Sequence, residues 1–518
     1  MRVAFVSSGN ENLGLEYLSA ILKEHGYEVK LFFDPQLFND GDFFSPPLNN
    51  FFLFQKKIID DLVRYEPDVI GFSVVSDFYM WAAELAAAIK QRIPSTPIIF
   101  GGIHPTSVPE YVILNPAVDV VCLGEGDYAL LEFIESLKAK TIDYTIKNLW
   151  FKKNGSIIRN EMRPLLQNLD SLPYPDKSLY YEVSPHFRTE YFTMAGRGCP
   201  FTCSYCYNSL LLELYKDKGK FLRRRSVPRV INEILFYTQK YKFNYIRFFD
   251  DVFAYDSDWL SEFAVMYKQK IGIPFLCYVH PEIINENIAI QLKNAGCCEV
   301  ELGIQTWDEK IREYALNRFI TNNTLERALC LFKDHDIAVT CDNIFGIPGQ
   351  HEEELVELVK FYNRHRVARI QVFWLRYYPK TRIVSIAKEL GILQDKDIEH
   401  IEKRDASPYT QGIGTFDVKK NRFQILLVLI PFLPPSVINF LISKRAYRFF
   451  PAIAPFVLRI FTNLFGSKSK FDYIMRRQKL ICYVYFMGHI LRQLFIPRKG
   501  RYRIAQALNS DNKREIVK

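Results

Sequence analysis

Short β-rich runs alternate with helix-length segments twice along this chain, and a proline-rich stretch separates the two series. From residue 1 to about 138 the order is RVAFVSS (2–8), the helical LGLEYLSAILKEHG, YEVKLFF, PDVIGFSVV, a helix through AAELAAAIKQR, TPIIFGG, VDVVCLGEG and a last helix ALLEFIESLK. Such alternation implies a parallel sheet covered on both faces, because each parallel crossover needs a helix to return the chain. Residues 1–140 are therefore expected to be doubly wound, with a ligand site at the carboxyl ends of the strands. LLQNLDSLPYPDKSLYYEVSP (165–185) holds three prolines and has no helical period, which makes residues 141–185 a linker. After it EYFTMAG, YIRFFDD, FLCYVH, CEVELGI, AVTCDNIFG and RIQVFWLRY are six strand candidates with helical segments between them. Six such repeats over 186–395 predict a partial (β/α)6 barrel of TIM type, again with its site at the carboxyl-end loops.

With 518 residues the chain exceeds one core, in keeping with two such units and a further region at 396–518. Its ten cysteines are few for that length, and most lie singly in apolar runs, where a buried free thiol is ordinary. MRVAFVSSGN starts as a strand and lacks the apolar core and cleavage site of a signal peptide, so the expected location is a reducing cytoplasm. The +9 formal charge is uneven: residues 419–518 carry net +17 and everything before them net −8. FQILLVLIPFLPPSVINFLI (423–442) has spanning length, but Pro431, Pro434, Pro435 and Asn439 interrupt it. The tail reads either as a helical segment lying in a membrane interface, on the inner face, or as a helical cap with a solvated basic side. Basic residues mixed with long aliphatic runs do not suit nucleic acid, which asks for exposed stacking aromatics.

The densest chemistry is GRGCPFTCSYCYN (196–208), directly after the first barrel strand. Cys199, Cys203 and Cys206 follow a C-x3-C-x2-C spacing, which lets one loop wrap an iron–sulfur cubane and reach three of its corners. A structural zinc would want a fourth ligand, and neither His nor Cys stands close by in sequence. The missing fourth ligand leaves one iron open to a group that brings its own donor atoms. A zinc loop or three incidental cysteines are the competing readings.

This motif, at this place in a βα barrel, closely resembles the radical S-adenosylmethionine (radical SAM) enzymes over residues 185–395. The resemblance implies a 4Fe-4S cluster whose open iron chelates SAM, an electron from a reductant such as flavodoxin or ferredoxin, and release of a 5′-deoxyadenosyl radical that takes hydrogen from unreactive carbon. It also implies that Tyr205 lies near adenine and that Asp250 and Asp251, closing the second strand, lie near the SAM amino group. Gln305 in ELGIQTW stands where relatives commonly carry glutamate, and Glu301, two strand positions before Gly303, should point into the barrel. FGIPGQ (345–350) resembles the fifth-strand turn, and YYPKTRI (377–383) a PYPGT segment with Lys380 in place of glycine.

In that light the first unit, flavodoxin-like in fold class, resembles the cobalamin-binding domain of the same superfamily's largest branch, through GGIHPTSVPEYVILNPAVDVVCLGEGD (101–127). Cobalamin contacts are implied for Gly14, Ser73, Gly101, Gly102, His104, Gly124, Glu125 and Gly126. Cobalamin domains that place a histidine on cobalt use a D-x-H-x-x-G loop, but aligned on Gly14 that loop is GNENLG here, with Glu11 in the histidine position. Either cobalamin binds without a side-chain ligand on cobalt, with His104 near it, or the domain is a vestigial scaffold. The expected function is a cobalamin-dependent C-methyltransferase acting on a small molecule, with a lipid or isoprenoid favoured by the apolar tail. A radical SAM enzyme performing ring formation, oxidation or rearrangement is the alternative, and a non-enzymatic cobalamin sensor is the third.

Overall fold

A computed structural model describes all residues except 40–44, 46–47, 50–51, 53, 404–416, 455–456, 459–460, 462–468 and 496–518. Seven strands form the first sheet: β1 (Arg2–Ser8), β2 (Glu28–Asp34), β3 (Val69–Ser73), β4 (Ile98–Gly101), β5 (Val120–Cys122), β6 (Leu149–Lys153) and β7 (Ser156–Arg159), in the order β2-β1-β3-β4-β5-β6-β7. The first five are parallel, with Val3–Val6 of β1 buried on both faces, as a doubly covered sheet requires. The order steps outward both ways from β1, so the switch point lies between β1 and β3. Helix Leu13–Glu24 starts where Asn12 accepts from the Leu15 N–H at 3.0 Å, an N-cap that fixes the turn out of β1.

The hairpin β6–β7 adds antiparallel to β5, so the sheet runs on to Arg159, inside the segment read from sequence as linker. The rest of that segment is wedged between the two sheets. Lys177, completely buried, pairs with Glu11 and Glu16 at 2.7 Å each, and the Tyr180 hydroxyl donates to Ser7 Oγ at 3.0 Å.

The second sheet has six parallel strands: β8 (Tyr191–Thr193), β11 (Ile246–Phe248), β12 (Phe275–Val279), β13 (Cys297–Gln305), β14 (Ala338–Phe345) and β15 (Arg369–Trp374), in sequence order from β8 to β15. These are the six segments read from sequence. A two-stranded antiparallel ribbon, β9 (Gly196–Arg197) with β10 (Arg223–Arg224), rises from the carboxyl end of β8 and leads into the cysteine loop.

The apolar run 423–442 is split by its prolines into helices Val418–Leu429 and Pro435–Ser443. Both pack on helix Glu352–Arg364, where Asn363 Nδ2 donates to Pro435 O and Asn439 Oδ1 at 3.0 Å. Helix Lys470–Phe495 packs Ile474 and Met475 beside Tyr245 and Leu276, while Ser469 donates to Glu299. Further along, its Tyr483 hydroxyl accepts from the Phe38 N–H at 3.0 Å and Phe486 is buried against Phe33, Phe54 and His186. One side of the tail is thus a cap holding barrel and first sheet together. Phe440, Phe449, Leu480 and Val484 remain exposed. No helix among the described residues is long and apolar enough to cross a membrane.

Candidate active site

The cysteine loop is held by hydrogen bonds to two other segments, residues 316–317 and residue 383. Ser204 N donates to Leu316 O at 3.0 Å, Asn317 Nδ2 donates to Thr202 O at 2.9 Å, and Ile383 N donates to Ser204 O at 2.9 Å. Gly198 has φ +91° and lies against the Phe221 carbonyl, so the turn into Cys199 is closed to any side chain. All ten cysteines of the chain are free thiols. Burial, reinforced by the Asp251 charge and by the other two cysteines, pushes the Cys199 thiol up to about 12; burial with Asp251 and Cys203 pushes Cys206 to about 11.

The three thiols are therefore near enough to act on one another electrostatically. Among the described residues, no three His, Cys, Asp or Glu side chains converge on a single metal ion. A cubane asks for a different arrangement, one thiolate for each of three separate corner irons, and the C-x3-C-x2-C spacing of the loop suits it. Because such ligands bind as thiolates, loading a cluster here releases protons.

Around the loop stand the other residues singled out from sequence. Asp251 is exposed and hydrogen-bonds Asn208, two residues past Cys206. Asp250 points elsewhere: it is buried, and its Oδ2 accepts from the Ala195 N–H at 2.8 Å. Burial pushes it up to about 6 against the pull of Arg224 and that N–H. It braces the turn from β8 into β9, so of the acidic pair Asp251 is the one facing the cysteines.

Tyr205 packs on the apolar group that includes Leu316, Ile347 and Ile383, and hydrogen-bonds Arg318. Gln305 ends β13 at a register shift with φ +68°, its amide folded over Gly303, where a Cβ would collide with it. Lys380 has φ +60°, the left-handed conformation that glycine adopts without strain, and forms an ion pair with Glu402 at 2.5 Å. Glu301 is half-buried and shares the Gln371 amide with Asp342, at 3.3 and 3.1 Å. Burial and the Glu301 charge raise Asp342 well above its ordinary carboxylate value.

The strand ends of the first sheet meet this loop. Ser76 Oγ bonds His104 Nδ1 at 2.9 Å and the Tyr207 hydroxyl at 2.5 Å, and Tyr207 directly follows Cys206. Asp77 accepts from Arg376 Nη1 at 2.6 Å and from the Tyr378 hydroxyl at 3.2 Å. Glu125 pairs with Arg223 at 2.7 Å and Arg197 at 3.1 Å, and Asp127 pairs with Arg197 at 2.9 Å.

For a corrin, the open part of this edge is Ser8–Gly14 with Ser73 and Val75, where Asn10, Gly14 and Val75 are exposed and Ser73 accepts from Asn12. That part carries no histidine; His104 is completely buried under Tyr79, and Glu11 is tied to Lys177. Backbone and small polar groups of this kind fit a flat cofactor with no side chain on cobalt. The glycines divide. The space beside Gly102 is filled by the Val74 backbone at 2.8 Å and that beside Gly124 by Tyr215 and Met162, while Gly101 and Gly126 sit over Cys122, at 3.5 and 3.2 Å. They let protein pack on protein.

Sequence reasoning missed Ser76, Asp77, Tyr207, Arg376 and Lys177. Only Tyr207, adjoining the third cysteine, carried a signal in sequence. The rest meet the site across separations that no local pattern records.

Residues 194–362 match the model of the radical SAM superfamily, and residues 3–134 that of the B12 binding domain. An uncharacterized methyltransferase of Pyrococcus horikoshii is 27% identical over 72% of this chain and 78% of its own length. Cytidylyl-2-hydroxyethylphosphonate methyltransferase of Streptomyces wedmorensis is 24% identical over 62% of this chain, which spans 65% of that relative. The cobalamin-dependent S-adenosylmethionine radical enzyme OxsB, solved with aqua-cobalamin bound, shares the fold at a TM-score of 0.65 and 15% identity, over 98% of this chain and 83% of that one.

Proposed function

We propose, from the premise that this chain belongs to the radical SAM superfamily and carries a B12-binding domain ahead of its barrel, that it is a cobalamin-dependent radical SAM methyltransferase acting on an unactivated carbon of a small molecule. The observation that carries the reading is the anchored loop of Cys199, Cys203 and Cys206 at the end of β8, met through Tyr207 by the strand ends of the first sheet. When bound, the cluster supplies the electron for cleaving SAM and cobalamin supplies the methyl carrier.

The chain's own residues divide that work. The three cysteines hold the cluster, and Asp251 and Tyr205 flank the place for SAM. Gln305, fixed by its left-handed backbone over Gly303, offers an amide to the ribose hydroxyls. Asp250 braces the β8–β9 turn, and the carboxyl groups of Glu301 and Asp342, bridged by the Gln371 amide, give the barrel interior a polar group toward substrate. The edge Ser8–Gly14 with Ser73 holds the corrin; His104 keeps Ser76 and the β3 turn in place beneath it. We assign the cobalamin unit to residues 1–140 with the hairpin to Arg159 and the cluster and SAM unit to 186–395, leaving the described part of 396–518 as the cap.

The test is product analysis with anaerobically reconstituted protein, a low-potential reductant such as reduced flavodoxin, and candidate substrates. A methylated product with S-adenosylhomocysteine and 5′-deoxyadenosine supports the reading. 5′-Deoxyadenosine without methyl transfer favours ring formation, oxidation or rearrangement, and no SAM cleavage by a reduced cluster overturns both. The exposed Phe440, Phe449, Leu480 and Val484 on a tail of net +17 support an amphiphilic, lipid-like substrate met at a membrane surface. Flotation with anionic vesicles at low salt tests that, and failure to float removes its support.

A further inference from the structure

Two buried nitrogen-bearing side chains flank the cysteine loop with incomplete sets of partners. Arg318, 7% exposed, aims Nη1 at Cys203 Sγ from 3.6 Å and donates Nη2 to Gly303 O at 2.8 Å, while its Nε has no hydrogen-bond partner. His280, 5% exposed and directly after β12, stacks on Phe201 between Cys199 and Cys203, with centroids 3.5 Å apart and planes at 20°. Neither of its ring nitrogens has a hydrogen-bond partner. Burial and the Arg318 charge push its pKa down to about 2, so the imidazole is neutral and carries one N–H. Arg312, six residues before Arg318, is more fully partnered: it donates to Thr306 O, Ile320 O, Trp307 O and Asn322 Oδ1.

A buried donor left without an acceptor costs about 1–3 kcal/mol, and more when charged. Both deficits adjoin one loop, and what that loop takes up is a cluster with three thiolates, which brings the negative charge and sulfur acceptors the donors lack. Hydrogen bonds and positive charge at cluster sulfurs favour the reduced state, because the electron added on reduction makes the cluster one charge more negative and the donors stabilise that charge.

We propose that Arg318 and His280 are positioning residues forming a donor cradle on the cluster, Arg318 through Cys203 and His280 beside Phe201, and that together they raise its reduction potential. The proposal rests on reading the cysteine triplet as a 4Fe-4S site.

The experiment uses full-length, anaerobically reconstituted protein without SAM: iron is counted per chain, and the midpoint potential is read by redox titration followed by electron paramagnetic resonance. Arg318→Gln should shift the midpoint negative. At the wild-type midpoint the reduced-to-oxidised ratio should fall at least tenfold, equivalent to about 59 mV for one electron. Arg318→Lys, which keeps the charge and loses the fork, should fall between wild type and Arg318→Gln. His280→Phe, which keeps the stack on Phe201, should give a smaller shift of the same sign. Full iron content with unchanged midpoints in Arg318→Gln and His280→Phe overturns the proposal. So does an iron-free Arg318→Gln beside an unshifted Arg318→Lys, which makes Arg318 merely structural. Wild-type protein that takes up no cluster is a different result, and sinks the cluster reading itself.

Discussion

Replacing Lys177 with methionine should unfasten the linker from the first sheet. Its ammonium lies 2.7 Å from both Glu11 and Glu16, and none of the three side chains is more than 1% exposed. Removing one partner of a buried ion pair costs about 3–5 kcal/mol, because the remaining charge keeps its desolvation penalty and loses its compensation. Here two carboxylates are stranded, so the upper half of that range is expected at pH 8. Burial already raises Glu16, and Lys177 is the strongest influence pulling it down, so Glu16 rises further in the variant. An acid with a raised folded pKa disfavours the folded state as pH climbs through its unfolded value, about 4.3, and that loss is relieved as pH falls back. The variant's deficit should therefore shrink from pH 8 to pH 5. In the wild type, Lys177 is raised by its two carboxylates, so its contribution holds through neutrality and is lost only at alkaline pH. Urea unfolding of the full chain, scored at the transition that opens residues 160–185 to limited proteolysis, measures the deficit at both pH values. Exchanging the triad together, as Glu11→Met, Glu16→Leu and Lys177→Met, should recover most of the loss, since an apolar set carries no desolvation penalty. A deficit below about 1 kcal/mol at pH 8, or one equal at both pH values, would falsify the argument.

Changing Cys199, Cys203 or Cys206 to alanine should abolish both the binding of four irons per chain and reductive SAM cleavage; full cleavage by Cys203→Ala would end the radical SAM reading. Gly198→Ala changes no ligand, yet its Cβ would run into the Phe221 carbonyl, so reconstituted protein should show a large loss of iron; wild-type iron content would contradict this. Cobalt(II) in the cobalamin-loaded protein should give an electron paramagnetic resonance spectrum without nitrogen superhyperfine splitting from an imidazole, since Glu11 is tied to Lys177 and His104 is enclosed; observed splitting refutes it. Phe486→Ala, which empties a site lined by Phe33, Phe54 and His186, should destabilise the protein by about 3–5 kcal/mol. A cost under about 1 kcal/mol by chemical denaturation would mean the tail helix is not docked there.

The two alternating series and the cysteine spacing were legible because they are local. A buried parallel strand needs a short run of apolar β-formers, its crossover needs a helix, and a loop that wraps a cluster needs its thiols within a few residues of one another. For the same reason the prolines at 431, 434 and 435 announced the break between two tail helices. Where sequence placed several residues on equal terms, packing separated them. Asp250 and Asp251 are neighbours in the loop after β11, yet one braces the Ala195 N–H while the other faces the thiols. The strand-end glycines look alike in sequence; Gly102 and Gly124 make room for Val74, Tyr215 and Met162.

By itself the sequence determined the two alternating series, the fold class and the spacing of the cysteine loop, each set by periodicity or by spacing within a few residues, while the absence of a histidine at the cobalamin position was read through the family resemblance. Tertiary structure alone decided that Glu11 is held by Lys177, that Ser76 and Asp77 meet Tyr207 and Arg376, and that Arg318 faces Cys203. The first three of those contacts join residues more than 100 positions apart, as does the last. A local pattern is enforced by the geometry of one helix or strand, whereas these pairings exist only once two sheets and their linker have packed and excluded water, so that each buried charge or donor must find whichever partner the packing brings to it.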